Sequence, residues 1–365
     1  MNPRVYNFSA GPANLPLPAL EEAQRDLLCL PGVGASVLEI SHRSKKFTEI
    51  LETAKANIAQ LLGLSDQYDV LFLHGGARLQ FVMIPMNFLR GSGKPADFIV
   101  TGHWGADAFK DAQREGAVNM AWDGKPTKFS RTPKDAELKL DPNAAYVHYT
   151  SNETIEGVQF KAEPNTGGAP AICDMSSDFL SRPIAVEKYA MMYAGAQKNA
   201  GPAGLAIAII RKDMLARIPE GLHDMLDYRV HSREGSTYNT PPCFPIYMVM
   251  LTTKWLLQTI GGLAKMDEIN CRKAQMLYDV IDRSGGFYRG HAAPESRSTM
   301  NVTFRLPSED AEKAFVQEAA EAGFHELKGH RSVGGMRASI YNAMPVEGVE
   351  KLAEFMQAFR TKSGK

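Results

Sequence analysis

The strongest chemical signal in the chain is a lysine set among small residues. Lys198 lies in Tyr193-Ala194-Gly195-Ala196-Gln197-Lys198-Asn199-Ala200-Gly201-Pro202-Ala203-Gly204. Apolar stretches at 186–194 and 205–210 flank it and read as buried strands, which puts the lysine on the turn between them. A partly desolvated lysine has its ammonium form disfavoured and becomes a nucleophile near neutral pH. Upstream, Ala171-Ile172-Cys173-Asp174 is a short apolar run ending in a carboxylate, the place where ligands gather in open α/β sheets. A lysine that forms a Schiff base and an aspartate that keeps a pyridine nitrogen protonated would together serve pyridoxal 5'-phosphate. Each residue also has a plainer reading. Lys198 could be a surface loop lysine, and Asp174 a turn or N-cap aspartate ahead of Ser176 and Ser177.

Other segments carry groups suited to the same chemistry. His74-Gly75-Gly76-Ala77-Arg78 joins a strand at 70–73 to a helical pattern beginning near Leu79. Small residues there let backbone N–H groups approach a phosphate at a helix N-terminus. Neither GxxxxGK(S/T) nor GxGxxG occurs there, and a tight turn explains a Gly-Gly pair equally well. Trp104 follows a strand end, where an indole either stacks on a cofactor ring or packs into the core. Asn152-Glu153-Thr154 follows another; its Asn and Thr suit a phenolic oxygen or a substrate carboxylate, or a polar turn. Basic residues recur in Ser41-His42-Arg43, Gly329-His330-Arg331 and Gly334-Gly335-Met336-Arg337. Arginine grips carboxylate or phosphate through two parallel hydrogen bonds, so these segments suit a substrate with two anionic ends. Any one of these arginines, taken alone, reads as readily as a surface ion pair. Histidines and acids show no zinc spacing such as HExxH, and His223 with His231 is too weak to count as a metal site.

The elements that must position these groups alternate short apolar strands with helices, the pattern of an α/β fold with a mostly parallel sheet. Strands are predicted at 70–73, 98–100, 118–121, 145–149, 171–174, 189–193 and 205–210. The spacing Phe47, Ile50, Leu51, Ala54, Ile58, Leu61, Leu62 predicts a helix ending at Gly63. Residues 1–16, rich in Pro, Gly and Asn, read as an extended arm. Residues 17–262 form a large domain, with a polar stretch at 229–245 and a helix at 246–260. Residues 263–365 form a smaller α/β domain: helices at 263–281, 309–322 and 346–359, strands at 300–306 and 336–341.

Composition limits the alternatives. A chain of 365 residues with 44% apolar and 22% charged residues has ordinary globular composition. Its 41 basic and 41 acidic residues cancel, so no global field draws it to nucleic acid or an anionic membrane. No apolar run reaches the roughly 20 residues of a membrane helix. Residues 1–10 lack a basic region followed by an apolar core, so no secretory signal is expected. Cys29, Cys173, Cys243 and Cys271 form no CxxC pair; four free thiols in a cytoplasmic protein are expected.

Eight segments, in order and in both halves, resemble the phosphoserine aminotransferase family. They are Asn7-Phe8-Ser9-Ala10-Gly11-Pro12, Ser41-His42-Arg43, His74-Gly75-Gly76, Asn152-Glu153-Thr154, Ala194-Gly195-Ala196-Gln197-Lys198-Asn199, Asn239-Thr240-Pro241-Pro242, Lys328-Gly329-His330-Arg331 and Gly334-Gly335-Met336-Arg337-Ala338-Ser339. The resemblance spans nearly the whole chain. It implies an aspartate aminotransferase-like α/β fold (pyridoxal phosphate fold type I), with a mostly parallel seven-stranded sheet and a smaller C-terminal α/β domain. It also implies a homodimer with active sites at the interface. On it, Lys198 is the Schiff-base lysine and general base, Asp174 pairs with the ring nitrogen, and Trp104 stacks on the ring. Gly76, Ala77, Arg78 and Gln197 would bind the cofactor, largely at its phosphate, with Thr154 a further contact. Asn239 and Thr240 would reach the phosphate of the other subunit. Arg43 and Arg337 would bind substrate carboxylate, and His42, His330 and Arg331 would form the pocket for a phosphate or the glutamate side chain. Ala77 stands where some members have a third glycine, which leaves open whether Arg78 faces cofactor or substrate. The implied reaction moves an amino group between glutamate and 3-phosphohydroxypyruvate, giving phosphoserine and 2-oxoglutarate, with a related phosphorylated keto acid of vitamin B6 synthesis as a further substrate in a bacterial host. The other readings are a same-fold enzyme acting on alanine or serine with glyoxylate, which needs no His330-Arg331 pocket, and a non-catalytic protein holding a nucleotide at Gly75-Gly76.

Overall fold

The computed structural model describes residues 4–363, so residues 1–3 of the expected arm and residues 364–365 lie outside it. The chain opens with β1 (Tyr6–Asn7), α1 (Leu17–Asp26) and α2 (Lys45–Leu62), then β2 (Tyr68–Leu73), α3 (Gly76–Phe88), β3 (Ala96–Val100), α4 (His103–Ala112) and β4 (Val118–Asp123). Next come β5 (Val147–Thr150), the hairpin β6 (Asn152–Glu153) and β7 (Val158–Gln159), β8 (Ala171–Asp174), β9 (Tyr189–Gly195) and β10 (Ala206–Arg211). Helices α5 (Lys212–Leu215), α6 (Tyr228–Arg233), α7 (Cys243–Trp255) and α8 (Leu263–Asp282) follow. The rest is β11 (Arg289–Gly290), β12 (Asn301–Arg305), α9 (Glu309–Glu321), β13 (Phe324–His325), β14 (Met336–Ser339) and α10 (Val346–Lys362).

Seven strands form the main sheet in the order β2-β10-β9-β8-β5-β3-β4, and only β10 runs against its neighbours. Sheets covered on both faces have apolar residues at successive positions, and β8 and β9 are buried at every residue. Helices α2 and α7 join the core on one face, while α3 and α4 pack on the other. Helix α2 shows how local chemistry sets an element. Ser44 Oγ accepts the Phe47 N–H at 3.2 Å to start it, and Gly63 ends it in the left-handed conformation at φ +67°. Its buried face is Phe47, Ile50, Leu51, Ala54, Ile58 and Leu62.

A second core forms under the antiparallel sheet β11-β12-β14, filled from α8, α9 and α10. Helix α8 spans both cores: Leu263 and Met266 belong to the first, Ala274 and Leu277 to the second. The arm belongs with the second core as well. β1 pairs in parallel with β13, and Phe8 is fully buried there. Lys273 of α8 is also fully buried, and its Nζ donates to the carbonyls of Tyr341, Ile340 and Met344 at 2.7, 2.9 and 3.2 Å.

Some expected boundaries move. The apolar run 186–194 is strand only from Tyr189; Val186–Lys188 is a 3-10 turn, where charged Glu187 and Lys188 interrupt the apolar run. Helix α3 starts at Gly76 rather than near Leu79, because Gly75 at φ +81° turns the chain into it. The polar stretch 229–245 holds most of α6, with Asp227 as its N-cap. The helix expected over 246–260 runs Cys243–Trp255 and then widens into a π turn, Leu256–Ile260. Helix α1 lies in a stretch to which the sequence assigned no element.

Candidate active site

Parallel strands deliver their C-terminal ends to one edge of a sheet, and five of those ends converge here. β2 leads to Gly75-Gly76, β3 to Trp104, β5 to Thr154, β8 to Asp174 and β9 to Lys198. Side chains and backbone from all five line one cavity of about 670 Å³, which the small domain meets with His330 and Arg337.

Lys198 is 9% exposed, and its Nζ donates to Thr154 Oγ1 at 2.6 Å. Burial pushes the amine down to about 8, and the Asp174 carboxylate partly opposes that shift. Asp174 is buried at the end of β8. Its Oδ1 accepts from the Ser176 N–H (2.9 Å) and Ser176 Oγ (2.6 Å). Oδ2 makes no hydrogen bond among the described residues, although burial raises the carboxyl. A buried carboxylate oxygen left free in a cavity is what a protonated ring nitrogen requires.

The Gly75-Gly76 turn is built as an anion cradle. A Cβ on Gly75 would lie 2.6 Å from Leu79 Cβ, whereas one on Gly76 would meet nothing within 4 Å. Helix α3 has no side-chain N-cap, so its first N–H groups, at Gly76, Ala77 and Arg78, remain for a ligand. Arg78 places its guanidinium 2.5 Å from Asp107 and 5.5 Å from the Phe81 ring centre. Its side chain is therefore committed to α4 and Phe81 at the cavity rim. Gln197 folds against Gly195 and, through its carbonyl, accepts the Ala13 N–H at 2.9 Å. The free Asp174 oxygen, the softened Lys198 amine and the open cradle together fit pyridoxal 5'-phosphate.

Trp104 lines the same cavity from the first turn of α4. Opposite the cofactor groups, Arg337 is largely buried and its guanidinium is lowered by that burial. His330 is lowered by burial and by the charges of Arg337, His103 and Arg331. The structure does not bring every expected residue to this cavity. Arg331 and Arg43 are exposed, His42 is half-buried, and none of the three lines it. Asn239 and Thr240 lie outside it too: Asn239 Nδ2 meets His74 Nε2 at 3.0 Å, and the Thr240 carbonyl meets the same nitrogen at 3.1 Å. Asn152, a candidate for a phenolic oxygen, does line the cavity, but its Nδ2 donates to Ser177 Oγ and Asn301 Oδ1, both at 2.8 Å.

Sequence reasoning missed three parts of the site. Ala10, Gly11 and Pro12 of the arm line the cavity, and a Cβ on Gly11 would lie 3.5 Å from Lys198 Cγ. Ser176 orients Asp174, and its place two residues after a strand-end aspartate was the available signal. Glu153 and Glu156 are buried, 0% and 4% exposed, behind α4. Nothing in the sequence separated them from solvent-facing acids.

The class-V aminotransferase family model matches residues 5–352. The phosphoserine aminotransferase of Desulfatibacillum aliphaticivorans is 53% identical over 365 residues, covering 100% of both chains. The solved phosphoserine aminotransferase of Bacillus circulans subsp. alkalophilus is 49% identical with TM-score 0.96, over 99% of each chain. A pyridoxal phosphate-bound phosphoserine aminotransferase from Trichomonas vaginalis is 42% identical with TM-score 0.92, over 97% of this chain and 100% of that one. With this match over its whole length, the chain belongs to the phosphoserine aminotransferase family of class-V aminotransferases.

Proposed function

We propose that this protein transfers the amino group of glutamate to 3-phosphohydroxypyruvate, giving phosphoserine and 2-oxoglutarate, with pyridoxal 5'-phosphate at Lys198. The carrying observation is one cavity that joins Lys198, Asp174 and Trp104 to His330 and Arg337 of the small domain. When bound, pyridoxal 5'-phosphate supplies an aldehyde carbon for the amine and a ring that accepts the electron pair of the Cα–H bond. Asp174 would hold the ring nitrogen protonated through its free oxygen, and Trp104 would cover one ring face. The first N–H groups of α3 and Gln197 would hold the phosphate. Lys198 would anchor the cofactor, and its amine would serve as the base that takes the substrate Cα proton. Arg337 would clamp the substrate carboxylate, and His330 with Arg331 would receive the phosphate or the glutamate side chain.

The same proposal makes the protein a cytoplasmic homodimer. Asn239 and Thr240, which stay outside their own chain's cavity, would complete the phosphate site of the partner. His42 and Arg43 would enter the substrate pocket in the same way. Exposed apolar side chains support this. Leu28 (86%) and Leu38 (61%) precede His42, and Tyr238 (41%) adjoins Asn239. Apolar surface of this kind is what subunit interfaces cover. The four cysteines are unpaired.

Borohydride reduction of the purified holoprotein should fix the cofactor on Lys198, located by peptide mass. Phosphoserine should react faster than serine, and Arg331→Ala should slow the phosphorylated substrate selectively. Equal rates with the two amino acids would remove the phosphate pocket and favour an alanine- or serine-glyoxylate enzyme.

A further inference from the structure

Helix α4 carries Trp104 in its first turn, and its N-terminus has no cap of its own. Gly102 stands at the N-cap with no side chain to accept a hydrogen bond. The first helical N–H groups would be orphaned there. Two buried glutamates from the β6-β7 hairpin accept them instead. Glu153 takes the Trp104 N–H on Oε2 (3.0 Å) and the Gly105 N–H on Oε1 (2.8 Å), and Glu156 takes the His103 N–H on Oε1 (3.1 Å). A Cβ on Gly102 would meet Glu153 Cδ at 2.5 Å and Glu156 Oε2 at 2.6 Å, so the two carboxyls crowd one glycine. The hairpin is tied down on its far side, where Thr303 Oγ1 donates to the Glu156 carbonyl at 2.8 Å. Between the two acids lies Thr154, the hydroxyl that receives Lys198 Nζ.

We propose that Glu153 and Glu156 are positioning residues that cap α4 from the hairpin and set Trp104 in register with Lys198. One short segment then fixes both the ring-stacking face and the reactive amine. Burial raises both carboxyls, and the neighbouring Glu156 adds to the rise at Glu153. Both Glu153 oxygens already accept N–H donors, while Glu156 Oε2 has no partner. Glu153 therefore carries two of the three capping contacts and Glu156 one, both set against the positive end of the helix.

The two glutamine variants should then differ. Glu153→Gln turns an NH2 toward one of the two backbone N–H groups that the carboxyl oxygens accept. Glu156→Gln keeps an accepting oxygen for the His103 N–H and turns its NH2 to the side where Oε2 has no partner. In cofactor-free protein, amide exchange at Trp104 and Gly105 should speed up roughly tenfold in Glu153→Gln and at most about threefold in Glu156→Gln. In the holoenzyme, Glu153→Gln should lower kcat roughly tenfold and weaken the visible circular dichroism of the bound cofactor. The kcat penalty should shrink in a Trp104→Ala background, because the effect runs through the indole. Gly102→Ala, which wedges the carboxyls apart, should mimic Glu153→Gln in the exchange measurement. Equal exchange in wild type and Glu153→Gln, equal damage from both glutamine variants, or an undiminished penalty without Trp104 would overturn the proposal. The proposal rests on Trp104 being the stacking face. If wild type bound no cofactor, the functional reading would fail instead, while the exchange experiment on cofactor-free protein would still decide the capping role.

Discussion

The most direct consequence of the site geometry is the state of Lys198 before any cofactor arrives. Its amine is pushed from 10.5 down to about 8 by burial. That lowering corresponds to about 3 kcal/mol disfavouring the ammonium form. Near pH 7.5, about a quarter of Lys198 side chains would be neutral, against roughly one in a thousand for an ordinary lysine. Competitive labelling of cofactor-free protein with a trace of acetic anhydride, read by peptide mass over a pH series, measures this directly. The labelling midpoint should fall near 8, and Asp174→Asn should move it lower by removing the carboxylate that pulls it up. Between pH 8 and 10.5 the unfolded chain holds the proton that the folded chain has lost, so this group makes stability rise with pH across that window. Lys198→Met should therefore exceed wild-type stability at pH 7 by up to about 3 kcal/mol, with the excess gone once pH passes the unfolded value. A labelling midpoint above about 9.5 would refute the reasoning, because burial would then not be setting the amine.

Two further changes test the supports of the site. Gly75→Ala puts a Cβ at φ +81° and 2.6 Å from Leu79 Cβ. The change should destabilise the fold by about 1–3 kcal/mol and weaken cofactor retention, measured by denaturant melting and by dialysis of the holoprotein. Lys273→Met leaves the Ile340, Tyr341 and Met344 carbonyls without their buried donor, a loss of about 2–4 kcal/mol in urea melting. Since Asn342 in that loop donates its N–H to Asn199 beside Lys198, the variant should also raise the KM for glutamate.

The parts of the molecule legible in the sequence are those where one strong physical preference acts alone. Strands buried on both faces must be apolar at every residue, so β2, β3, β8 and β10 could be read within a few positions. Their C-terminal ends followed, and with them Lys198, Asp174, Trp104 and the Gly75-Gly76 cradle. The hidden parts depend on partners far along the chain. Tyr6 and Asn7 form a strand only because Phe324 and His325 lie beside them, and no local pattern announces that pairing. Glu153 and Glu156 look like surface acids until a helix N-terminus is set against them. The π turn after Trp255 is equally silent, since widening one turn leaves the apolar pattern intact. The roles of His42, Arg43, Arg331, Asn239 and Thr240 come from resemblance rather than from periodicity, and they are the expected residues that stay outside this chain's own cavity.

The arm has a consequence for how the protein comes into being. Tyr6 leaves the ribosome more than three hundred residues ahead of its partner Phe324. Ala10, Gly11 and Pro12 cannot settle over Lys198 until that strand exists. A nascent chain that has completed the seven-stranded sheet therefore already holds Lys198 and Asp174 in an open trough. Synthesis of the segments that carry Phe324 and Arg337 is then what allows the roof to form and Arg337 to reach the rim. The groups that do the chemistry thus precede much of their enclosure along the chain, and a chain cut short before Phe324 would expose a reactive amine without its roof.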